Sequence, residues 1–244
     1  MCQIFIFFLI CLTACTQNLK ENYNQAQIHF RLGESYLREA KYTLALKELL
    51  QAAKLNPRDP DIHLALGLGY MGRGDYKTAE KEFKKVLNLN KNYAAAYNNL
   101  GFLYLQKRDF AKAETYFKKA LNIASYPTPE AAYTNLGSCY LLQKRYQEAR
   151  KNFTLALEVN PSYLPAYFGL ARTWEEKGMY RRAILVYIQA INQLPEEPTL
   201  YYRTGLLYLK IGETEKAKKM LEKVIKLGTD PLREKAINLL DNLQ

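Results

Sequence analysis

The chain has 244 residues, 35 basic against 24 acidic side chains for a net charge of +11, and only four cysteines and two histidines. Two histidines and no HExxH, CxxC or phosphate-cradling glycine loop leave metal, thiol-redox and nucleotide chemistry without a motif, and no cofactor is expected. The basic excess points to an anionic partner surface or to simple solubility.

The first fifteen residues follow different rules from the rest. Met1 to Ala14 carries no charged side chain, and Ile4 to Leu12 is one apolar run, shorter than the roughly 20 residues that span a bilayer. Residues 1–14 read as a secretory signal, with a soluble protein bearing a greasy start and a permanent signal anchor as the competing readings. Leu12-Thr13-Ala14-Cys15 resembles the bacterial lipobox, which implies cleavage before Cys15 and lipidation of that residue. Residues 15–25 would then be the lipidated cysteine and a polar tether. Cys2 and Cys11 would leave with the signal, so Cys15 and Cys139 remain and no internal disulfide is expected. Thr16 after the cysteine, in place of Asp, looks like an outer-membrane address on the periplasmic face of a diderm envelope. Nucleic acid fits a secreted chain poorly as a partner.

From Ala26 onward the sequence repeats. A small residue, followed three positions later by Tyr or Trp and then by Ala, an apolar or aromatic residue and a second Ala or Val, recurs at Gly33, Gly67, Gly101, Gly137, Ala171 and Gly205. The intervals are 34, 34, 36, 34 and 34 residues. Repeat one carries Leu32, Gly33, Tyr36, Tyr42, Ala45, Leu49, Ala52 and Pro57, and repeat four carries Leu136, Gly137, Tyr140, Tyr146, Ala149, Phe153, Ala156 and Pro161 at the same positions. This period and pattern resemble the tetratricopeptide repeat, a helix-turn-helix unit that stacks on copies of itself. The expected fold is all-α, a right-handed superhelical solenoid of six such repeats in one domain over residues 26–243. The repeats fall at 26–59, 60–93, 94–129, 130–163, 164–197 and 198–231, with a capping helix at 232–243. Lys91 stands where siblings have Pro, and Ser125 to Pro129 adds two residues between repeats three and four. In the capping helix Leu232, Ala236, Leu239, Leu240 and Leu243 share a face, which leaves Arg233, Glu234, Lys235 and Asp241 for water.

His29 and His63 hold the fourth position of their repeats, where the other four have Tyr97, Tyr133, Tyr167 and Tyr201. A position shared with an aromatic reads as packing rather than as acid-base or metal chemistry, and an enzyme is not expected. Lysines cluster on the second helix of each unit, as at Lys77, Lys81, Lys84 and Lys85, a solvated face or one drawn to an anionic surface.

In tetratricopeptide arrays the fifth, ninth and twelfth positions line a concave binding groove. The resemblance therefore implies a groove built from Leu64, Leu68, Met71, Asn98, Phe102, Leu105, Thr134, Ser138, Leu141, Phe168, Arg172 and Tyr202. Phe30, Glu34, Leu37, Glu175, Leu206 and Leu209 complete the set. The lysines of a carboxylate clamp are missing, and an apolar protein segment suits such a groove better.

The lipobox, short tether, six repeats and terminal helix together resemble the PilF/PilW family of type IV pilus biogenesis lipoproteins over nearly the full length. The local likenesses are Asn98-Asn99-Leu100-Gly101-Phe102-Leu103-Tyr104 and the Tyr126-Pro127 loop that stretches repeat three. The resemblance implies a pilotin: a lipid-anchored adaptor that helps a secretin subunit reach the outer membrane and oligomerise there. The secretin is the expected partner, and the membrane is the other, through Cys15. A lipoprotein adaptor for peptidoglycan enzymes, a tetratricopeptide scaffold of another envelope complex, and a hydrolase or transferase with an unrecognised site are the alternatives.

Overall fold

The computed structural model describes the backbone of residues 2–243 and the side chains of residues 20–243. The signal-sequence and lipobox expectations, Cys15 included, lie outside the described side chains. Among the described residues there are thirteen helices and no strand. The chain divides between Ser125 and Tyr126 into two compact units.

The first unit holds three helix pairs: α1 (Cys2–Arg38) with α2 (Tyr42–Leu55), α3 (Pro60–Gly72) with α4 (Tyr76–Leu89), and α5 (Ala94–Gln106) with α6 (Phe110–Leu121). The second holds α7 (Pro129–Leu142) with α8 (Tyr146–Val159), α9 (Leu164–Glu176) with α10 (Tyr180–Gln193), α11 (Pro198–Lys210) with α12 (Thr214–Leu227), and the terminal α13 (Asp230–Asp241). Lys20 to Gln25, expected within a polar tether, continue the helix of repeat one.

The helix boundaries follow from local chemistry. Proline stands in the first turn of α3, α7, α9, α11 and α13, where its missing N–H has no helical partner to lose. Asp75 and Asp109 cap α4 and α6 by accepting from the Thr78 and Lys112 amides at 3.0 and 3.2 Å. Between the two helices of each pair the backbone turns through a positive φ at the same repeat position: Ala40, Gly74, Arg108, Lys144, Gly178 and Gly212. Three of these are not glycine, and an L side chain there costs about 1–2 kcal/mol. Lys144→Gly, less the chain entropy that glycine adds to the unfolded state, should therefore stabilise the protein by about 0.5–1 kcal/mol. An unchanged or lowered denaturation midpoint would contradict this.

The core is the repeat pattern made solid. The alanines at 45, 79, 113, 149, 183 and 217 are fully buried, as are Leu49, Phe83, Phe117, Phe153 and Leu221 one turn on. Each of these large side chains lies against the small anchor of its own repeat. A Cβ added at Gly67 would meet the Phe83 ring at 2.3 Å, one at Gly101 the Phe117 ring at 2.5 Å, and one at Gly33 the Leu49 side chain at 2.6 Å. The helices of a pair pack closely only because the anchor has no Cβ.

Polar contacts join successive repeats within each unit. In the first, the Glu80 carboxylate on α4 accepts from Lys84 at 2.7 Å, Tyr104 at 2.8 Å and Lys107 at 2.9 Å. Burial pushes its pKa up, but these donors outweigh burial and hold it down at about 2. In the second, Arg181 of α10 pairs with Glu213 before α12 at 2.7 Å.

The terminal helix covers the last repeat as its apolar face predicts. Ala236 is fully buried, and Leu232, Leu239, Leu240 and Leu243 pack on Tyr201, Leu221 and Val224. Arg233 departs from the expectation of a water-facing charge. Its guanidinium donates to the Ile225 and Gly228 carbonyls, each at 3.0 Å, and so satisfies the C-terminal end of α12, where orphan carbonyls favour a cation.

The lengthened connection between repeats three and four begins early. α6 has 12 residues where α2, α4, α8, α10 and α12 have 14, so the loop takes up lost helix as well as the two inserted residues. Tyr126 in that loop is buried, and burial raises its phenol pKa.

Candidate peptide-binding clefts

Each unit contains a cleft of its own. In the first, Leu68, Met71 and Phe102 meet Leu37, Arg38, Tyr42, Gly72, Tyr76 and Gln106 around a volume of about 570 Å³. Leu68 and Met71 are successive outward positions of α3, and Phe102 stands at the equivalent position of α5, so one turn of each helix presents its apolar side to the same space. Leu64, Asn98 and Leu105 do not line this cleft, and Leu105 is buried in the core. The second-helix tyrosines Tyr42 and Tyr76 were not part of the expected groove. Their signal was an aromatic at the first position of five of the six second helices, Tyr42, Tyr76, Phe110, Tyr146 and Tyr180. Tyr42 reaches the cleft because Gly72 leaves room, since a Cβ there would lie 2.3 Å from the ring.

In the second unit, Thr134, Ser138, Leu141, Phe168 and Arg172 come together around about 930 Å³, and Tyr202 lies outside the lining. Here the walls are more polar. Arg172 faces Glu176 at 3.6 Å, and Arg203 and Lys210 of α11 add two further cations to the rim. Phe168 packs edge-on against Tyr187 with ring centres 6.0 Å apart. Burial, with the Glu175 carboxylate beside it, pushes the Tyr187 phenol up, so it donates to Glu175 at 3.3 Å. Ser138 donates back to the Thr134 carbonyl at 2.9 Å. The buried Thr134 hydroxyl has no hydrogen-bond partner among the described residues. A buried hydroxyl without a partner is costly.

The histidines sit away from both clefts. His63 is buried and places Nε2 2.9 Å from the Pro57 carbonyl. Tyr167 and Tyr201 donate from the same repeat position to the Pro161 and Pro195 carbonyls, each at 3.0 Å. The position thus ties the proline turn of one repeat to the first helix of the next, and His63 does what its tyrosine siblings do. Its Nδ1 lies 2.7 Å from Glu82, and that of His29 2.7 Å from Glu48.

One contact thus recurs at one position in three of the repeats, and family comparison matches the repeat itself. Tetratricopeptide-repeat profiles match residues 30–70, 60–125, 92–162, 140–198 and 198–227. The chain belongs to the tetratricopeptide-repeat family. Among solved structures, this tetratricopeptide protein is similar to PilW, a type IV pilus biogenesis factor, at 24% identity and a TM-score of 0.70, over 82% of this chain and 92% of that one. It is similar to PilF of Pseudomonas aeruginosa at 20% identity and a TM-score of 0.69, over 85% and 93% of the two chains. Among curated sequences, a stretch of 83 residues is 31% identical to the tetratricopeptide protein YpiA of Bacillus subtilis strain 168, covering 34% of this chain and 19% of that protein. These likenesses establish the fold. Tetratricopeptide proteins are interaction scaffolds, and the first cleft has the apolar floor and sparse polar fixtures of a site for a protein segment, while the second adds a charged wall.

Proposed function

We propose that this tetratricopeptide protein is a non-catalytic, membrane-anchored scaffold of type IV pilus biogenesis that guides a secretin subunit to the outer membrane and its assembly there. The observation that carries the reading is the apolar cleft of the first unit, where Leu68, Met71 and Phe102 converge without a carboxylate-clamp lysine in the lining. Such a surface takes up an apolar segment, extended or helical, by inserting side chains between Phe102 and Tyr42. The near full-length likeness to PilF and PilW supports the pilus assignment. Among the described residues no helix is long and apolar enough to cross a membrane. The anchor in this reading is the lipid on Cys15, as its likeness to the lipobox implies.

Capture of the secretin by the full chain is the direct test. Met71→Ala with Phe102→Ala removes two apolar anchors and is expected to weaken capture by roughly 10-fold or more, with the helical signal and denaturation midpoint recorded alongside. Equal capture by wild type and this variant would remove the cleft from the mechanism. Cys15→Ser is expected to move the protein from the membrane to the soluble fraction, and unchanged fractionation would refute lipidation.

A further inference from the structure

Trp174, the chain's one tryptophan, is buried near the end of α9 in the core of the second unit, and three cations lie close to its ring. Arg150 of α8 and Arg182 of α10 hold their guanidinium carbons 4.4 and 4.7 Å from its ring centre, and the Lys177 ammonium lies 5.9 Å away. Neighbouring charges are matched: Arg145 pairs with Glu148 at 2.9 Å and Arg181 with Glu213 at 2.7 Å. The three cations over Trp174 have no carboxylate partner among the described residues. The indole face attracts each of them, but three like charges around one ring repel one another. Negative charge from outside would relieve that repulsion.

The helix beside it mixes arginines with bared aliphatic side chains. Where α4 turns Lys77, Lys81, Lys84 and Lys85 to solvent, α10 exposes Arg181, Arg182, Leu185 and Ile188, with Leu185 64% exposed. Met179 is exposed just before it. Steps of three and four put these residues on one face. At its N-terminal edge a cleft of about 430 Å³ opens between Gly178, Met179, Tyr180, Arg181, Arg182 and Ile211, at a helix start with no side-chain cap. Unpaired arginines would account for an acidic partner, but not for a leucine and a methionine bared beside them. A phospholipid surface meets both, with phosphates for the guanidiniums and acyl chains for the aliphatics.

We propose that this face of the second unit, Arg150, Lys177, Arg182 and Leu185 over the buried Trp174, docks on an anionic phospholipid surface. The proposal stands apart from the pilus reading and from the fate of Cys15. The test uses the full, non-lipidated chain with vesicles of phosphatidylglycerol or of phosphatidylcholine. Binding is read by sedimentation and by Trp174 emission, which reports from directly beneath the three cations because there is no other tryptophan. Emission and sedimentation should respond to phosphatidylglycerol and not to phosphatidylcholine. Arg150→Gln with Arg182→Gln should weaken partitioning by about 30-fold, at about 1 kcal/mol per basic residue. Attachment through the apolar first residues would be indifferent to headgroup charge and to these substitutions. Should the double variant fail to keep its helical signal, the wild-type salt dependence takes its place. Raising salt from about 0.05 to 0.5 M should release an electrostatically held surface. Equal binding to both lipids, or binding that ignores both the substitutions and salt, overturns the proposal. So does an emission response to soluble polyphosphate without one to vesicles, which would assign the cluster to a free polyanion.

Discussion

Phe153→Ala is expected to cost about 3–5 kcal/mol of stability, near the top of the range for a buried aromatic. The ring is fully buried on α8, and two glycines from different helices close on it. A Cβ at Gly137 of α7 would lie 2.9 Å from the ring, and one at Gly169 of α9 only 2.2 Å. On these two sides the resulting cavity is walled by bare backbone, which has no side chain to swing in and fill it. Because each repeat contacts only its neighbours, the damage should be local. Amide exchange in α7, α8 and α9 should accelerate while that in α12 and α13 changes little. Phe153→Leu should be far milder, since repeats one and six carry Leu49 and Leu221 at this position. A loss below about 1 kcal/mol for the alanine variant, measured by denaturant unfolding, would show that the glycines can close the gap.

The second large effect runs against helix propensity. Gly67→Ala in the middle of α3 would gain about 1 kcal/mol from propensity alone, yet it is expected to destabilise by about 1–3 kcal/mol net. The new methyl would stand 2.3 Å from Cε1 and 2.6 Å from Cδ1 of Phe83, and the fully buried Phe83 ring has little room to turn. Adding Phe83→Leu should recover most of the loss, which makes the pair strongly non-additive. Gly205→Ala is the control. Its nearest atoms are those of Leu221 at 3.3 Å, a contact that a few tenths of an ångström relieve, so it should be close to neutral. A stabilised Gly67→Ala would mean that α3 and α4 can move apart at no cost.

The fold was legible because a stacked repeat writes its packing rules six times. Gly101 or Phe117 alone says little, but the recurrence of a small anchor and a large partner 16 residues later at Gly33 and Leu49, Gly67 and Phe83, and Gly137 and Phe153 identifies one geometry. The same recurrence assigned His63 to a tyrosine position, and its contact with the Pro57 carbonyl matches that of Tyr167 with Pro161. Arg233 broke the rule of charges facing water because a helix end needs donors, and nothing in its own helix reveals where the end of α12 lies.

The clefts were legible only in part. Position counting along the first helices found Leu68, Met71 and Phe102, and in the other unit Thr134, Ser138, Leu141, Phe168 and Arg172. It also included Leu105, which the core covers, and it left out Tyr42, Tyr76, Tyr187, Arg203 and Lys210, which arrive from second helices or from the following repeat.

The sequence by itself determined the all-helical repeat architecture, its six-fold register and the place of its one long connection, because helix period, turn chemistry and small-to-large pairing act within some forty residues of chain. Only the tertiary structure decided which side chains share a cleft, that the Thr134 hydroxyl is left without a partner, and that three cations crowd one indole. Those facts depend on how far one helix leans on the next, and that is set by the bulk of side chains on both helices at once.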